Sequence, residues 1–511
     1  MTDQEGDIVV PLKGIQLAIA GFALALVNFI VVLDITIANV SVPHIAGGLA
    51  ISPSQGTWAI TSYAVAEAIT VPLTGWLSTR FGTVRWLTIS LIGFGLFSFL
   101  CGISSSIEML IVFRIGQGLS GGPLMPLTQT LLTRIFPPEK VPMALGLWAV
   151  TTITAPIIGP ILGGTISDNW SWPWIFFINL PVVAICVFVV WRVLPPFETR
   201  RVRTRIDRVG LALLIVWVGA FQLMLDTGRE HDWFASNMVL VAAIVAAVGF
   251  AAFVIWEWYE ESPVVDIRLL ADRTLGFSTL SISLSYGAFF ASIVLVPLWL
   301  QGVIGYTATE SGYVTAYLGV LAVVVAPVAA FLLNRVDPRL TVSLGLVWLT
   351  GATLLRLRWS TDVDYWTLVI PQLLQGIGMP FFFVGLTSLG ISKMKPSQIA
   401  SAAGIMTFCR TISGAVATAL ATTLWASYSR VQRADLVPNL NDPAGALGKL
   451  EQGGLSSGQA RAVLDRMVEA QASTNGAITV FVMSALLFLV SAAAIWLVPK
   501  PTGPLRVGEG H

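Results

Sequence analysis

Residues 15–41 read IQLAIAGFALALVNFIVVLDITIANVS, and a single carboxylate, Asp34, interrupts the run. A bilayer-spanning helix needs about 20 predominantly apolar residues, and this run is longer. A backbone in lipid must satisfy its own hydrogen bonds, so such a run reads as helix. An acid at the centre of such a helix costs about 2.5–3.5 kcal/mol on the insertion scale, so it faces the bundle interior or a wet cavity.

The rest of the chain reads the same way. Of 511 residues, 55% are hydrophobic and 11% charged, against about 25% charged in a soluble domain. Mean hydropathy is +0.80. The abundant glycine and proline fit packed, kinked membrane helices. A net charge of +1 says little about partners, because its distribution matters more than the sum, and no nucleic-acid partner is expected. Cys101, Cys186 and Cys409 lie in apolar runs and read as small buried hydrophobes. His44, His231 and His511 have no metal-ligand spacing. The polar, acidic N-terminal stretch has no basic region or cleavage site, so the first span is expected to stay as an anchor.

Fourteen stretches satisfy the span criterion, at about 15–41, 56–78, 86–105, 108–133, 141–166, 174–194, 208–226, 237–258, 275–300, 310–333, 340–357, 366–391, 398–426 and 475–498. An even number puts both termini on one side. Loops on that side hold Arg80, Arg85, Arg134, Lys140 and the arginines from Arg200 to Arg208. Short loops opposite hold only Arg229, Arg356 and Arg358. Basic loops mark the cytoplasmic side, where both termini are therefore expected.

The chain also repeats. VPLTGWLSTRFGTVR (71–85) aligns with APVAAFLLNRVDPRL (326–340), setting Pro72 on Pro327 and Arg80 on Arg335. RIGQG (114–118) aligns with QLLQG (372–376), setting Gln117 on Gln375 and Gly118 on Gly376. Parallel halves around a midplane cavity are a transporter architecture. The expected fold is an all-α integral membrane protein of two six-helix halves plus two inserted helices. The divisions are a cytoplasmic N-terminus (1–14), an N-terminal half (15–194) and a linker with the inserted pair (195–274). A C-terminal half follows (275–498), with an outer loop at 427–474, and then a cytoplasmic C-terminus (499–511). The inserted pair holds no buried constellation and reads as packing or lipid-facing.

Depth pairs the buried charges. At 1.5 Å per residue, Asp34 lies about 12 Å below the outer end of the first span, and Arg114 about 9 Å into the fourth. Opposite charges at similar depth predict that the two spans are neighbours and that the side chains interact, directly or through water. Glu67 sits near the centre of the second span with Tyr63, Thr70 and Thr74 on its face, a polar stripe that reads as a cavity wall. With no cation at its level in sequence, Glu67 is the better candidate to carry a proton. Arg410, mid-span in FCRTISGAVATAL, has no partner acid in the second half's spans, and its role stays open. Cavity candidates are Tyr63, Thr70, Gln117, Tyr286, Trp299, Gln375, Phe382 and Arg410, with Trp58, Phe381 and Phe383 as further aromatics.

GLWAVTTITAPIIGPILGG (146–164) puts Ala155, Gly159 and Gly163 on one face, which permits close helix contact. Pro156 and Pro160 favour a kink.

Together these residues resemble the major facilitator superfamily, and within it the fourteen-helix drug:proton antiporters of the EmrB/QacA type, over nearly the whole chain. LDITIANVSVP (33–43) is similar to the first-span signature and RIGQGLSGG (114–122) to the fourth-span motif. The resemblance implies proton coupling by Asp34, Glu67 and Arg114, with protons as the coupling ion and no other cofactor. Gly146, Ala155, Pro156, Gly159, Pro160, Gly163 and Gly164 match the exporter motif of the fifth span. WSWPWIFFINLP (170–181) is similar to the opening of the sixth. Gly75, Arg80, Gly82 and Arg85 match the cytoplasmic loop motif. That motif has an Asp where Thr79 stands and a basic residue where Val84 stands, so its charge relay must here be weakened or rebuilt.

The implied activity is proton-driven export of amphipathic or hydrophobic compounds across a bacterial inner membrane. The implied partners are a periplasmic adaptor of the EmrA type and an outer-membrane channel of the TolC type. Within the outer loop, 458–472 reads as a short helix with an apolar stripe of Val463, Leu464, Met467 and Val468, which would either dock the adaptor or fold on the protein itself. Export of one narrow natural substrate such as a fatty acid, siderophore or metabolite, or import, remains the alternative. A membrane enzyme is disfavoured, since no GxxxxGK loop, HExxH motif or soluble catalytic domain is present.

Overall fold

The computed structural model describes residues 11–500 except 52, 203–204, 206, 229–231, 334, 396–397 and 441. The ends of both termini, and Arg203, Arg229 and Arg506, lie outside the described residues.

Every element among the described residues is helical, as a chain that must bond its own backbone in lipid requires. The first half comprises α1 (Gly14–Gly48), α2 (Pro53–Thr70), α3 (Thr74–Phe81), α4 (Thr83–Gly102), α5 (Ile107–Gly121), α6 (Leu124–Ile135), α7 (Val141–Asn169), α8 (Trp174–Phe177) and α9 (Asn179–Val193). The inserted pair is α10 (Arg208–Gly228) and α11 (Asn237–Tyr259). The second half comprises α12 (Arg273–Trp299), α13 (Ala308–Leu333), α14 (Pro338–Leu354), α15 (Tyr365–Ile391), α16 (Ile399–Leu436), α17 (Pro443–Gln452) and α18 (Ser457–Ala494).

Among the described residues, eleven helices are long and apolar enough to cross a membrane. A twelfth, α7, is bent by 42° between Pro156 and Ile158. The expected second and fourth spans are each split, into α2–α3 and α5–α6, with Pro72 and Pro123 at the breaks. Proline lacks the donor that would continue the helix there. Fourteen spans are consistent with this arrangement.

The repeat in sequence is a repeat in packing. α1 packs on α2, α7 and α9, as α12 packs on α13, α16 and α18. α5 packs on α2 and α4, as α15 packs on α13 and α14. Gly118 lies against the Tyr63 carbonyl, and Gly376 against the Leu318 carbonyl. The two contacts fall at the offsets that set Gly118 on Gly376 and Pro72 on Pro327.

The halves meet through α7 with α13 and α15, and through α16 with α3 and α6. The face carrying residues 11–13 and 499–500 is the terminal face, and the opposite one is distal. At the terminal face, a Cβ on Gly75 would stand 2.7 Å from the Ser401 Cα, and one on Gly404 would stand 3.2 Å from the Val71 carbonyl. The halves are therefore closed on each other there.

The distal loop differs from expectation. Residues 458–472 are not a separate helix but the first turns of α18, and α16 continues to Leu436. Each of these helices has 38 residues, about 57 Å, so an antiparallel helical hairpin projects beyond the bilayer core. Trp425 Nε1 donates to the Ser473 carbonyl at 2.8 Å. Arg433 pairs with Asp465 and, at 3.3 Å, with Glu469. The apolar stripe is divided: Val468 is buried and Met467 is exposed.

Candidate functional site

Asp34 and Arg114 are both fully buried, and they meet. Arg114 Nη1 donates to Asp34 Oδ2 at 2.6 Å and to Gln117 Oε1 at 2.9 Å. Asp34 Oδ1 accepts from Gln117 Nε2 at 3.0 Å and from Asn179 Nδ2 at 2.7 Å. Asn179 also reaches Ser98 Oγ at 2.9 Å. Arg114 Nε donates to the Ala59 carbonyl, and its guanidinium lies 4.2 Å from the Tyr63 ring centroid. The network ties α1, α2, α4, α5 and α9 together. Within it, three donated bonds and a cation offset the desolvation of the carboxylate. Asn179 and Ser98 were not singled out from sequence. The signal available was Asn179 as the lone polar side chain in IFFINLP.

A cavity of about 670 Å³ lies between the halves. Glu67 lines it from α2, Val32, Ile35, Thr36 and Asn39 from α1, and Met125 from α6. Tyr286 and Phe290 line it from α12, and Arg410 through Thr422 from α16. Asp34 and Arg114 do not line it. Arg410 is the cation that the sequence could not pair with Glu67. It belongs to the other half and shares the cavity with Glu67, and the charges of both Arg114 and Arg410 act on that carboxyl. The Arg410 guanidinium sits among Trp148, Tyr286 and Phe383, 5.0 to 5.5 Å from their centroids. It therefore bridges α7 of one half and α12 and α15 of the other.

The inserted helix α10 is more than packing. Gln222, Leu225 and Asp226 complete the cavity wall beside α2 and α16. Gln222 Nε2 donates to Asp226 Oδ1 at 3.1 Å.

Of the eight cavity residues expected from sequence, Tyr286 and Arg410 line it. Tyr63 packs under Arg114, and Gln117 belongs to the Asp34 network. Thr70 bonds to helix carbonyls, because a mid-helix threonine has the i−4 carbonyl within reach. Phe382 is fully buried in the second-half core. Trp299 is buried, stacked 4.9 Å from Trp359. Gln375 accepts from Arg356 Nη2 at 2.6 Å, as Gln372 does at 3.0 Å. Arg356 is therefore not a loop cation. It folds back from the end of α14 into the bundle, fully buried against Trp359 and Phe481. Trp58 is exposed, and Phe383 reaches Arg410.

The fifth-span motif forms the seam with α1. A Cβ on Gly159 would stand 2.8 Å from Thr36 Cβ, and one on Gly163 would stand 2.9 Å from the Ile37 carbonyl. Thr36 Oγ1 also contacts the Ala155 carbonyl at 3.4 Å. Asn28 Nδ2 reaches Thr151 and Thr152 at 2.9 and 2.6 Å on the same seam. Gly146 makes ordinary contact with α13 and α15, and a Cβ on Gly164 would meet nothing.

Beside the loop motif, another acid caps the helix that follows it. Thr79 bonds to the Gly75 carbonyl of its own helix. Glu198, after the sixth span, accepts from the Val84 and Arg85 amides at 3.0 Å each, capping the start of α4. Gly82 at φ +90° makes the α3–α4 turn, a conformation side chains rarely adopt. Arg80 lies over the Trp76 and Phe81 rings.

Comparison with known proteins agrees with this architecture. The family model described as "Major Facilitator Superfamily" matches residues 24–418. The chain is 41% identical over 505 residues to "Multidrug export protein EmrB" of Escherichia coli K12, covering 98% of this chain and 99% of that one. It is 40% identical to "Fatty acid resistance protein FarB" of Neisseria gonorrhoeae, over 96% of this chain and 98% of that one. Among solved structures, the human organic anion transporter MFSD10 (TETRAN) is similar in fold, with a TM-score of 0.56 at 14% identity, covering 94% of this chain and all of that one.

Proposed function

This chain belongs to the major facilitator superfamily, a multi-pass membrane protein, and from that premise we propose that it is a proton-driven multidrug exporter of a bacterial inner membrane. The observation that carries export is the end-to-end similarity to EmrB multidrug export proteins. The basic loops favour a cytoplasmic terminal face, so the cavity reaches toward the outside.

The proton reading rests on accessibility. Glu67 lines the cavity, whereas Asp34 is sealed with Arg114 behind Val32, Ile35 and Thr36. Glu67 takes a proton from the cavity. Its neutralisation removes its attraction for Arg410 across the halves and lets them rock. The Asp34–Arg114 pair acts as the lock that opens and closes with the state. One charge moving down 100 mV releases about 2.3 kcal/mol, enough for roughly a fifty-fold gradient.

The projecting α16–α18 hairpin is the surface on which a periplasmic adaptor would sit, with an outer-membrane channel beyond it. The test is substrate movement in proteoliposomes under an imposed pH gradient, using cationic dyes, uncouplers, fatty acids and hydrophobic antibiotics. Gradient-dependent movement of several classes is expected. Movement of one class alone would favour the narrow-substrate reading. That reading draws on the relative named for fatty acid resistance and on Arg410 in the cavity, a cation suited to a carboxylate.

A further inference from the structure

From the wall that α10 adds to the cavity, we infer that Asp226 is a recognition site for the charged head of lipophilic monocations. Two observations and the general bonding capacity of a carboxylate carry this. Asp226 is exposed into the cavity, where α10 fills the gap between α2 and α16. Its carboxylate is aimed by Gln222 Nε2 at 3.1 Å and by the hydroxyl of Thr61 on α2. A carboxylate has about four acceptor sites, so these two bonds orient it and leave capacity for a cation.

The rest of the cavity supplies the apolar body's contacts and its orientation. Ile35, Ile60, Leu225 and Phe290 form greasy walls. Arg410 is a fixed positive charge at the deep end, held among three aromatic rings. Thr422, also on the wall, lies twelve residues beyond it along α16, about 18 Å toward the distal face. Thr61 is six residues from Glu67 on α2, about 9 Å toward the same face. A cation with an apolar body is thus turned with its head toward Asp226 and away from Arg410. Neutral compounds feel only the walls.

This inference rests on the export reading for its biological meaning, but it is tested by binding. The probes are tetraphenylphosphonium and its uncharged near-isostere triphenylphosphine oxide, titrated into the purified full-length protein in nanodiscs. In Asp226→Asn, the cation's Kd should rise at least tenfold and that of the neutral probe less than twofold. Asp226→Glu should stay within about threefold of the unmodified protein for both. Gln222→Leu, which leaves the charge but removes its aim, should weaken the cation alone. An unchanged cation Kd in Asp226→Asn, or equal loss of both probes in folded protein, overturns the inference. Should Asp226→Asn fail to fold, the Gln222→Leu result decides by the same two criteria. Dye accumulation in cells with and without the protein tests export separately. Charge-selective binding without any fall in accumulation would sink the export reading and leave this site standing.

Discussion

Asp34 and Glu67 are two buried carboxyls with different surroundings, and that difference sets separate expectations. On the proposed reading, Glu67→Gln should abolish pH-gradient-driven transport while leaving downhill exchange of substrate intact, because only the proton carrier would be lost. Asp34→Asn should impair both, since Arg114 is left without its counter-ion. Wild-type gradient-driven rates in Glu67→Gln would refute the assignment. The buried arginines separate in the same manner. Arg114→Met strands a buried carboxylate, a loss of about 3–5 kcal/mol. Arg356→Met strands only the amide oxygens of Gln372 and Gln375, about 1–3 kcal/mol. Thermal unfolding in detergent should therefore fall further for Arg114→Met. The Asp34–Arg114 meeting was legible from depth alone, because two spans fix two heights. The part of Asn179 was not, because a lone polar side chain in IFFINLP does not say which helix it will meet.

At the scale of elements, the α1–α7 seam is the most sequence-determined contact. Small residues four apart make a groove, and α1 enters it beside Asp34. Gly163→Val would press side chain against the Ile37 carbonyl, which cannot rotate aside. Transport should fall at least tenfold at normal expression levels. Gly164→Ala, with nothing within 4 Å of its added carbon, should behave as the unmodified protein. Transport assays on both variants at matched membrane levels check the pair. The distal loop was misread for a physical reason. Polar surface turns of a helix look like a separate amphipathic helix when the membrane boundary is taken as the helix end, yet α16 and α18 run through that boundary. Arg433, Asp465 and Glu469 hold the two extensions together outside it.

For the whole molecule, the geometry is closed on the terminal face and holds a cavity toward the distal face. A cysteine at Thr422 should react with a membrane-impermeant maleimide added to the distal side, and one at Ser401 should not react from either side in this state. Reaction at Ser401 from the terminal side should rise when the opposite state is populated, with Thr422 falling in step. Independent changes at the two positions would contradict rocking of the halves as rigid bodies.

The chain's own order of residues determined the spans, the two-fold repeat and the pairing of Asp34 with Arg114. Those properties depend on hydrophobic length, internal similarity and depth, which are one-dimensional. Only the tertiary structure decided which polar residues face the cavity. Tyr63, Gln117, Trp299 and Gln375 turned into their own halves, while Asp226 turned toward the opening. Arg410 came to share a cavity with Glu67, and Glu198 came to cap α4 beside the loop motif. Each of these depends on the rotation of a helix about its axis and on which helix of the other half it meets, and a sequence pattern of one span contains neither.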